Sequence, residues 1–281
     1  MRILITGAGG LIGSHLVPSL EKDHELFTVS GKYSGKNNIN IDFSKDWSAD
    51  ILPAGIEAII HLAQSEDFRD FPGKAKAVFY TNTVSTLNLA DFAVNTGVKK
   101  FIYASSAGIY GNSDDAFTEQ QDIVYKKEMG FYLGTKHCSE VILANYTSLL
   151  DVQQLRFFFV YGKEQRKDML IPRLFNNVQE GNAIILSGKN GIKINPLHAS
   201  DAANAIKAAL NLQGSHTINA GGAEVLSLRE ICETIGAVTG KAPQFNIEEK
   251  LPNHLTGDIT VMKDLLVAPA VKFLEGIKTL I

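Results

Sequence analysis

Tyr132 and Lys136 stand four residues apart in a stretch of helical periodicity, which places both side chains on one face. A phenol with a pKa of ~10 is a poor base at neutral pH, and an ammonium one turn away is expected to lower that value by favouring the phenolate. Ser106, at the polar end of the apolar run KFIYAS, can hydrogen-bond a substrate oxygen and share its proton with the tyrosine. The three together suit a carbinol–carbonyl redox site, with hydride passing to or from a nicotinamide ring. Eight tyrosines give one Y-x-x-x-K by chance roughly half the time, so the spacing alone carries little. Position carries more: only Tyr132 has the lysine, and it falls on the helix after the strand that leads into Ser106. The competing reading is a solvated tyrosine and lysine on an exposed helix face.

The companion signal is the opening MRILITGAGGLIG. Residues 3–5 form an unbroken apolar run ending in a turn, the pattern of a strand buried on both faces. Gly7, Gly9, Gly10 and Gly13 allow a sharp turn and close approach of a ligand where a Cβ would intrude. A helix beginning near Gly10 and running through Leu11 and Ile12 aims unpaired N–H groups at that turn, where a pyrophosphate fits without a lysine. The spacing is G-x-x-G-x-x-G rather than the stricter G-x-G-x-x-G, and the alternative is a glycine-rich turn without a ligand. Strand, turn and helix are nevertheless the setting that dinucleotide binding requires. Ser30 closes the next apolar run, ELFTVS, where such folds place an acid for the adenine ribose. With Lys32 two residues on, a 2′-phosphate is tolerated or attracted, which tilts the expectation from NAD towards NADP; Lys32 reads equally as a solvated loop charge.

These sites must be positioned by a chain of 281 residues, 45% apolar, with net charge −3. That length buries a sizeable core, and the absence of a basic block argues against nucleic acid or an anionic membrane surface as partner. Cys138 and Cys232 have no metal-ligand spacing, so neither a disulfide scaffold nor a metal site is expected, and both read as reduced, buried thiols. Met1 runs straight into the first strand, and no apolar run approaches the roughly eighteen residues that span a bilayer. A cytoplasmic protein is the expectation.

Strands are expected over 25–30, 38–42, 57–62, 100–105 and 152–160, with helices to about residue 22 and over 74–96 and 128–149. Asp42 ends the third strand, either capping the adenine edge or terminating the run, with Phe43 beside it. His61 reads as a packed strand-end residue, Leu62 and Ala63 as a small-residue passage for the cofactor, and Asn82 as a mid-helix brace binding a main-chain carbonyl. Beyond residue 163 the elements shorten: helices over 172–180, 201–212 and 227–238, strands over 183–186 and 215–219, and a helical tail over 262–281 interrupted at Pro269. Strands alternating with helices make an α/β fold with a doubly wound parallel sheet the economical topology.

In order, Gly7, Gly10 and Gly13, Asp42, His61-Leu62-Ala63, Asn82, Ser105-Ser106, Tyr110-Gly111, Tyr132 with Lys136, Arg156 with Tyr161-Gly162, and Asp201 resemble the extended short-chain dehydrogenase/reductases of the NAD-dependent epimerase/dehydratase family. The resemblance covers nearly the whole chain. It implies a Rossmann-type domain over 1–165 and a small C-terminal α/β substrate lobe over 166–281, with part of the later chain free to return to the main sheet. It also implies bound NAD(P), catalytic Ser106, Tyr132 and Lys136, and a nucleotide sugar as the commonest substrate. Tyr132, Lys136, Leu11, Ile12, Ser30, Lys32, Asp42, Phe43, Leu62, Ala63 and Asn82 are then expected to join the glycines around the cofactor. Ser106, Ala107, Phe159 and Ile194 are expected to face the substrate. In relatives the two long helices pair in a homodimer.

Departures from the family pattern bear on chemistry. Ala107 and Gly108 stand where dehydratases carry an Asp-Glu pair, which argues against loss of water. Phe159 replaces a substrate-facing asparagine, and Ile194 replaces the arginine that grips the substrate pyrophosphate. An epimerase or reductase of a nucleotide sugar leads, and the alternatives are a reductase of a non-sugar carbonyl and a catalytically silent dinucleotide-binding regulator.

Overall fold

Ile3, Leu4 and Ile5 are fully buried because the strand they form has a neighbour on each edge and helices over both faces. The computed structural model describes residues 1–31, 33, 35–123 and 129–281. In chain order its strands are β1 (Arg2–Thr6), β2 (Glu25–Val29), β3 (Asn38–Ile39), β4 (Ala58–His61), β5 (Lys100–Ser106), β6 (Asp151–Phe157), β7 (Val160–Tyr161), β8 (Ile184–Ser187), β9 (Lys193–Ile194), β10 (Leu197–His198), β11 (His216–Ala220), β12 (Leu226–Ser227) and β13 (Phe245–Glu248). The helices are α1 (Leu11–Leu20), α2 (Ala75–Phe79), α3 (Ser85–Thr96), α4 (Gly130–Ala144), α5 (Leu170–Glu180), α6 (Ala199–Ala209), α7 (Leu228–Thr239), α8 (Thr260–Leu265) and α9 (Phe273–Lys278).

The main sheet runs β11-β6-β5-β4-β1-β2-β3 and is parallel throughout, the Rossmann order with one added strand. Leu16, Val17 and Leu20 of α1 pack with Ala202, Ala205 and Ile206 of α6 on one face, and Leu89, Ala90 and Ala93 of α3 with Leu143 of α4 on the other. Strand order reverses between β1 and β4, so their carboxyl ends flank the crevice where ligands collect in such sheets. A separate cluster built from α5, α7, α9 and β8 lies outside this sandwich, while α6 and β11 return to it from the later half of the chain.

Several boundaries depart from the periodicity. The helix expected over 74–96 is continuous but contains a π-helical turn, Tyr80–Val84, between α2 and α3. The helix expected over 128–149 is described from Gly130 and stops at Ala144; residue 128 lies outside the described residues. The strand expected over 152–160 breaks after Phe157 because Phe159 sits at φ +42°, a conformation no strand residue adopts. The third strand stops at Ile39, and the parallel pairing of β13 with β8 had no counterpart in the sequence reading. Cys232 is buried as expected, whereas Cys138 is only half-buried, on the helix α4 that also has an outward face.

Two glycines are dictated by chain meeting chain. Gly7 has φ +74°, and a Cβ there would lie 2.8 Å from Ala63 N beyond β4; one on Gly13 would lie 2.5 Å from Gly7 O. In α4, by contrast, Gly134 faces open space. Gly13→Ala is therefore expected to destabilise the fold by about 2 kcal/mol or more, and Gly134→Ala to stabilise it by about 0.5–1 kcal/mol. Urea-unfolding midpoints of the two variants check both signs.

Candidate active site

The glycine turn delivers the chain into α1, whose N-cap is Gly10 without a side-chain cap and whose first turn holds no acidic residue. The N–H groups at Leu11 and Ile12 thus keep their dipolar charge for an external anion, and the donor set fits the diphosphate of a dinucleotide. Next door, Asp42 accepts from Ser44 N at 3.0 Å and Ser44 Oγ at 2.6 Å and pairs with Lys45 at 3.0 Å. These contacts, Ser44 first, hold its carboxyl down at about 2. Phe43 is buried against Trp47 and His61. Ser30 is half-buried, its carbonyl accepting from Asn38 Nδ2 at 3.0 Å, and Lys32 lies outside the described residues.

Three observations draw Ser106, Tyr132 and Lys136 to the same sheet edge. Lys136 Nζ, buried with its side chain, donates to Ala104 O on β5 at 2.9 Å and lies 5.0 Å from the Tyr103 ring centroid. Tyr132 Oη donates to Gln64 Oε1 at 2.9 Å, and Gln64 follows the Leu62-Ala63 segment that touches Gly7. Gly108 is wedged between Ser106 and Leu133, the neighbour of Tyr132: a Cβ there would meet Leu133 Cδ2 at 2.9 Å and Ser106 Oγ at 3.4 Å. Ser106 Oγ accepts from Gly108 N at 3.2 Å, which starts the 3-10 turn Ala107–Tyr110 and keeps the O–H as a donor.

Behind this edge the polar groups are buried and paired. Asn82, in the π-turn, accepts from Ser65 N at 2.9 Å and donates to Thr135 Oγ1 at 2.9 Å, so it ties the segment after β4 to the helix turn that carries Lys136. The π-turn also presents Asn82 O to both Thr86 Oγ1 at 2.7 Å and Ser139 Oγ at 2.8 Å. His61 bridges Thr6 Oγ1 at 2.6 Å and Thr86 Oγ1 at 3.0 Å, and burial pulls its pKa to about 3, so it stays neutral.

Over residues 3–221, more than half of its length, the sequence matches the model of the NAD dependent epimerase/dehydratase family. The chain belongs to that family. Among similar proteins, an uncharacterized UDP-glucose epimerase, YtcB, of Bacillus subtilis is 28% identical over 99% of this chain and 96% of its own. The UDP-glucuronate 4-epimerase of Thermodesulfobacterium geofontis is 27% identical over 98% and 93%. MoeE5, solved with UDP-glucuronic acid and NAD, superposes with TM-score 0.84 at 26% identity over 100% of this chain and 97% of its own. A family of NAD-dependent epimerases and dehydratases makes this chain an enzyme that takes a nicotinamide dinucleotide, and neighbours in the family bind UDP-sugars.

As a member of the epimerase/dehydratase family the chain corrects several expectations. The expected lowering of the Tyr132 pKa is outweighed by burial, which raises the phenol above its ordinary value; the lysine runs inward to Ala104 while the tyrosine reaches out to Gln64. Asn82 spends its amide on Ser65 and Thr135 and is 1% exposed, so it braces the site from behind. Its side chain binds a main-chain N–H rather than a carbonyl. Ala107 and Ile194 are both fully buried, Ala107 with Tyr110, Phe117 and Phe158, Ile194 in the C-terminal cluster. Phe159 is half-buried against that same cluster.

The sequence reading missed Gln64 and an arginine pair at the rim. Arg69 and Arg166 both pair with the carboxylate of Asp168, and Arg166 Nη1 also donates to Glu66 O at 2.7 Å. Both guanidinium groups lie over the Phe68 ring, at 4.9 and 5.8 Å, and that ring packs 4.9 Å from Tyr132. No spacing signals this, because the partners come from loops 97 residues apart in sequence.

Burial lowers the Lys136 pKa from 10.5 to about 8, with Glu140 opposing the shift. Below that value the folded chain holds a desolvated ammonium; between about 8 and 10.5 the unfolded chain binds more protons, so stability rises with pH. Lys136→Met is expected to be more stable than the parent at pH 7 by about 1–3 kcal/mol, the gap closing as the pH approaches 10.5. Urea denaturation of both proteins at pH 7 and pH 10 measures it.

Proposed function

We propose that this chain is an NAD-dependent epimerase of a nucleotide sugar, acting at a carbinol carbon through Ser106, Tyr132 and Lys136. The observation that carries the reading is the Tyr132 hydroxyl reaching Gln64, beside the segment that touches Gly7, while Lys136 anchors the same helix to β5 two residues before Ser106. The dinucleotide supplies the acceptor, and then the donor, of the hydride. Ser106 donates its O–H to the reacting oxygen, and Tyr132 takes the proton of that oxygen on oxidation and returns it on reduction. Lys136 holds a ribose hydroxyl and, as an ammonium, favours the phenolate that burial otherwise disfavours. The turn from Ser106 to Tyr110 contains no carboxylate to act as the acid that expels water, which favours epimerisation over dehydration.

The dinucleotide is inferred to be NAD, the form held by solved relatives; the tilt towards NADP rested on Ser30 in place of an acid, with Lys32 beside it, and found no support among them. For the substrate's anionic part, Arg166 and Arg69 offer the grip that Ile194 cannot, with a phosphate or carboxylate replacing Asp168 between them. A homodimer is inferred from Phe79, Leu87 and Val141, large apolar residues 40%, 37% and 53% exposed on α2, α3 and α4.

Tyr132→Phe should lower turnover of UDP-glucose or UDP-glucuronic acid at least about 100-fold while NAD affinity stays within a few-fold; unchanged turnover would refute the acid–base role. A net change in NADH during turnover would mark a reductase instead. Arg166→Gln should raise KM about tenfold with kcat kept. Sedimentation showing only a 30.6 kDa species would remove the dimer.

A further inference from the structure

Glu140 lies one helical turn beyond Lys136 on α4 and is 4% exposed; Arg156, 8% exposed, faces it from β6. Arg156 Nη2 donates to Glu140 Oε2 at 2.7 Å, and Nε reaches the two carboxylate oxygens at 3.1 and 3.2 Å. Arg156 Nη1 donates to Tyr110 Oη at 2.6 Å, and Tyr110 Oη donates to Asn219 Oδ1 on β11 at 2.9 Å. Tyr110 ends the turn that Ser106 begins. One buried network therefore joins the helix of Tyr132 and Lys136, the turn of Ser106, and strands β6 and β11. A buried ion pair contributes little net stability compared with a well-packed apolar pair, while removing one partner leaves an uncompensated buried charge.

We propose that Glu140 and Arg156 are positioning residues for the Tyr132–Lys136 pair: the Glu140 carboxylate, balanced by Arg156, sets how firmly Lys136 holds its proton, and the Arg156–Tyr110 contact fixes the Ser106 turn against α4. This rests on the roles given above to Ser106, Tyr132 and Lys136. The titratable groups around Lys136 are Tyr132, Cys138 and Glu140 of α4, Tyr103 of β5 and His61 of β4, with Arg156 of β6, Tyr110 and Glu119 around the carboxylate. His61 is neutral and Glu119 accepts from Asn219 N at 2.8 Å, which leaves Glu140 as the negative charge that acts on Lys136.

The test follows NAD affinity by calorimetric titration from pH 7 to 10, together with the pH profile of turnover. Glu140→Gln should move the alkaline midpoint of both down by about half a unit or more, and Arg156→Gln, which unbalances the carboxylate, should move it up by a similar amount. Tyr110→Phe should lower kcat several-fold with the midpoint unmoved. Arg156→Lys, which keeps the charge and loses the fork, should hold the parental midpoint with reduced kcat, and it replaces Arg156→Gln should that variant not fold. Midpoints that stay put in Glu140→Gln, or move the same way in both charge variants, overturn the proposal. The NAD titration reads Lys136 without any sugar nucleotide, so shifted midpoints in a chain that turns over no UDP-sugar support this proposal while removing the substrate reading.

Discussion

An ammonium group buried between a helix and a sheet governs the rest of this structure. Lys136 is 2% exposed, and its charge is compensated by one carbonyl, Ala104 O, by the face of Tyr103 and by Glu140 one turn away. A buried cation tolerates little displacement, since its partners are short-range and water is not there to replace them. Sliding α4 by one turn, about 5.4 Å, would strand Nζ away from Ala104. The register between α4 and β5 is thereby fixed, and with it the height of Tyr132 above the sheet edge where Ser106 ends its strand.

The same constraint extends across the crevice through polar groups rather than through apolar packing. Asn82 joins Ser65, beyond β4, to Thr135, the residue before Lys136. His61, also on β4, joins Thr6 at the end of β1 to Thr86 on α3, and Thr6 Oγ1 in turn accepts from Ala63 N at 3.2 Å. The glycine turn and the Tyr132–Lys136 helix are thus held to one another by directed bonds whose partners have no alternative in the interior. Such bonds specify distances, whereas side-chain packing alone tolerates small slips.

How far the sequence disclosed this depends on whether the determinant was local. The parallel core strands and the first helix were legible because unbroken apolar runs and glycine punctuation are properties of neighbouring residues. The i, i+4 spacing of Tyr132 and Lys136 likewise disclosed a shared face. It did not disclose that the lysine stem would carry Nζ inward while the phenol turned outward, because those directions are set by Ala104 and Gln64, each more than thirty residues away. The π-turn at Tyr80–Val84 leaves no trace in periodicity, since one extra residue in a turn is smaller than the noise of an apolar pattern. The run FFFV reads as strand, and only the packing of Phe158 and Phe159 into different clusters forces the left-handed backbone between them.

The absence of a carboxylate after Ser106 has a structural counterpart. At Gly108 even a Cβ would stand 2.9 Å from Leu133 Cδ2, and Ala107 is sealed among Tyr110, Phe117 and Phe158. An acidic side chain at Ala107 would bury an unpaired charge, and one at half-buried Gly108 would first have to displace the Leu133 side chain. What the close contact retains is a short path from Ser106 past Gly108 to Leu133, the residue next to Tyr132. In the proposed reaction the proton then moves between the reacting oxygen and the Ser106 and Tyr132 hydroxyls, which is what interconversion at a single carbon requires, whereas elimination of water needs a further acid that the turn from Ser106 to Tyr110 does not carry.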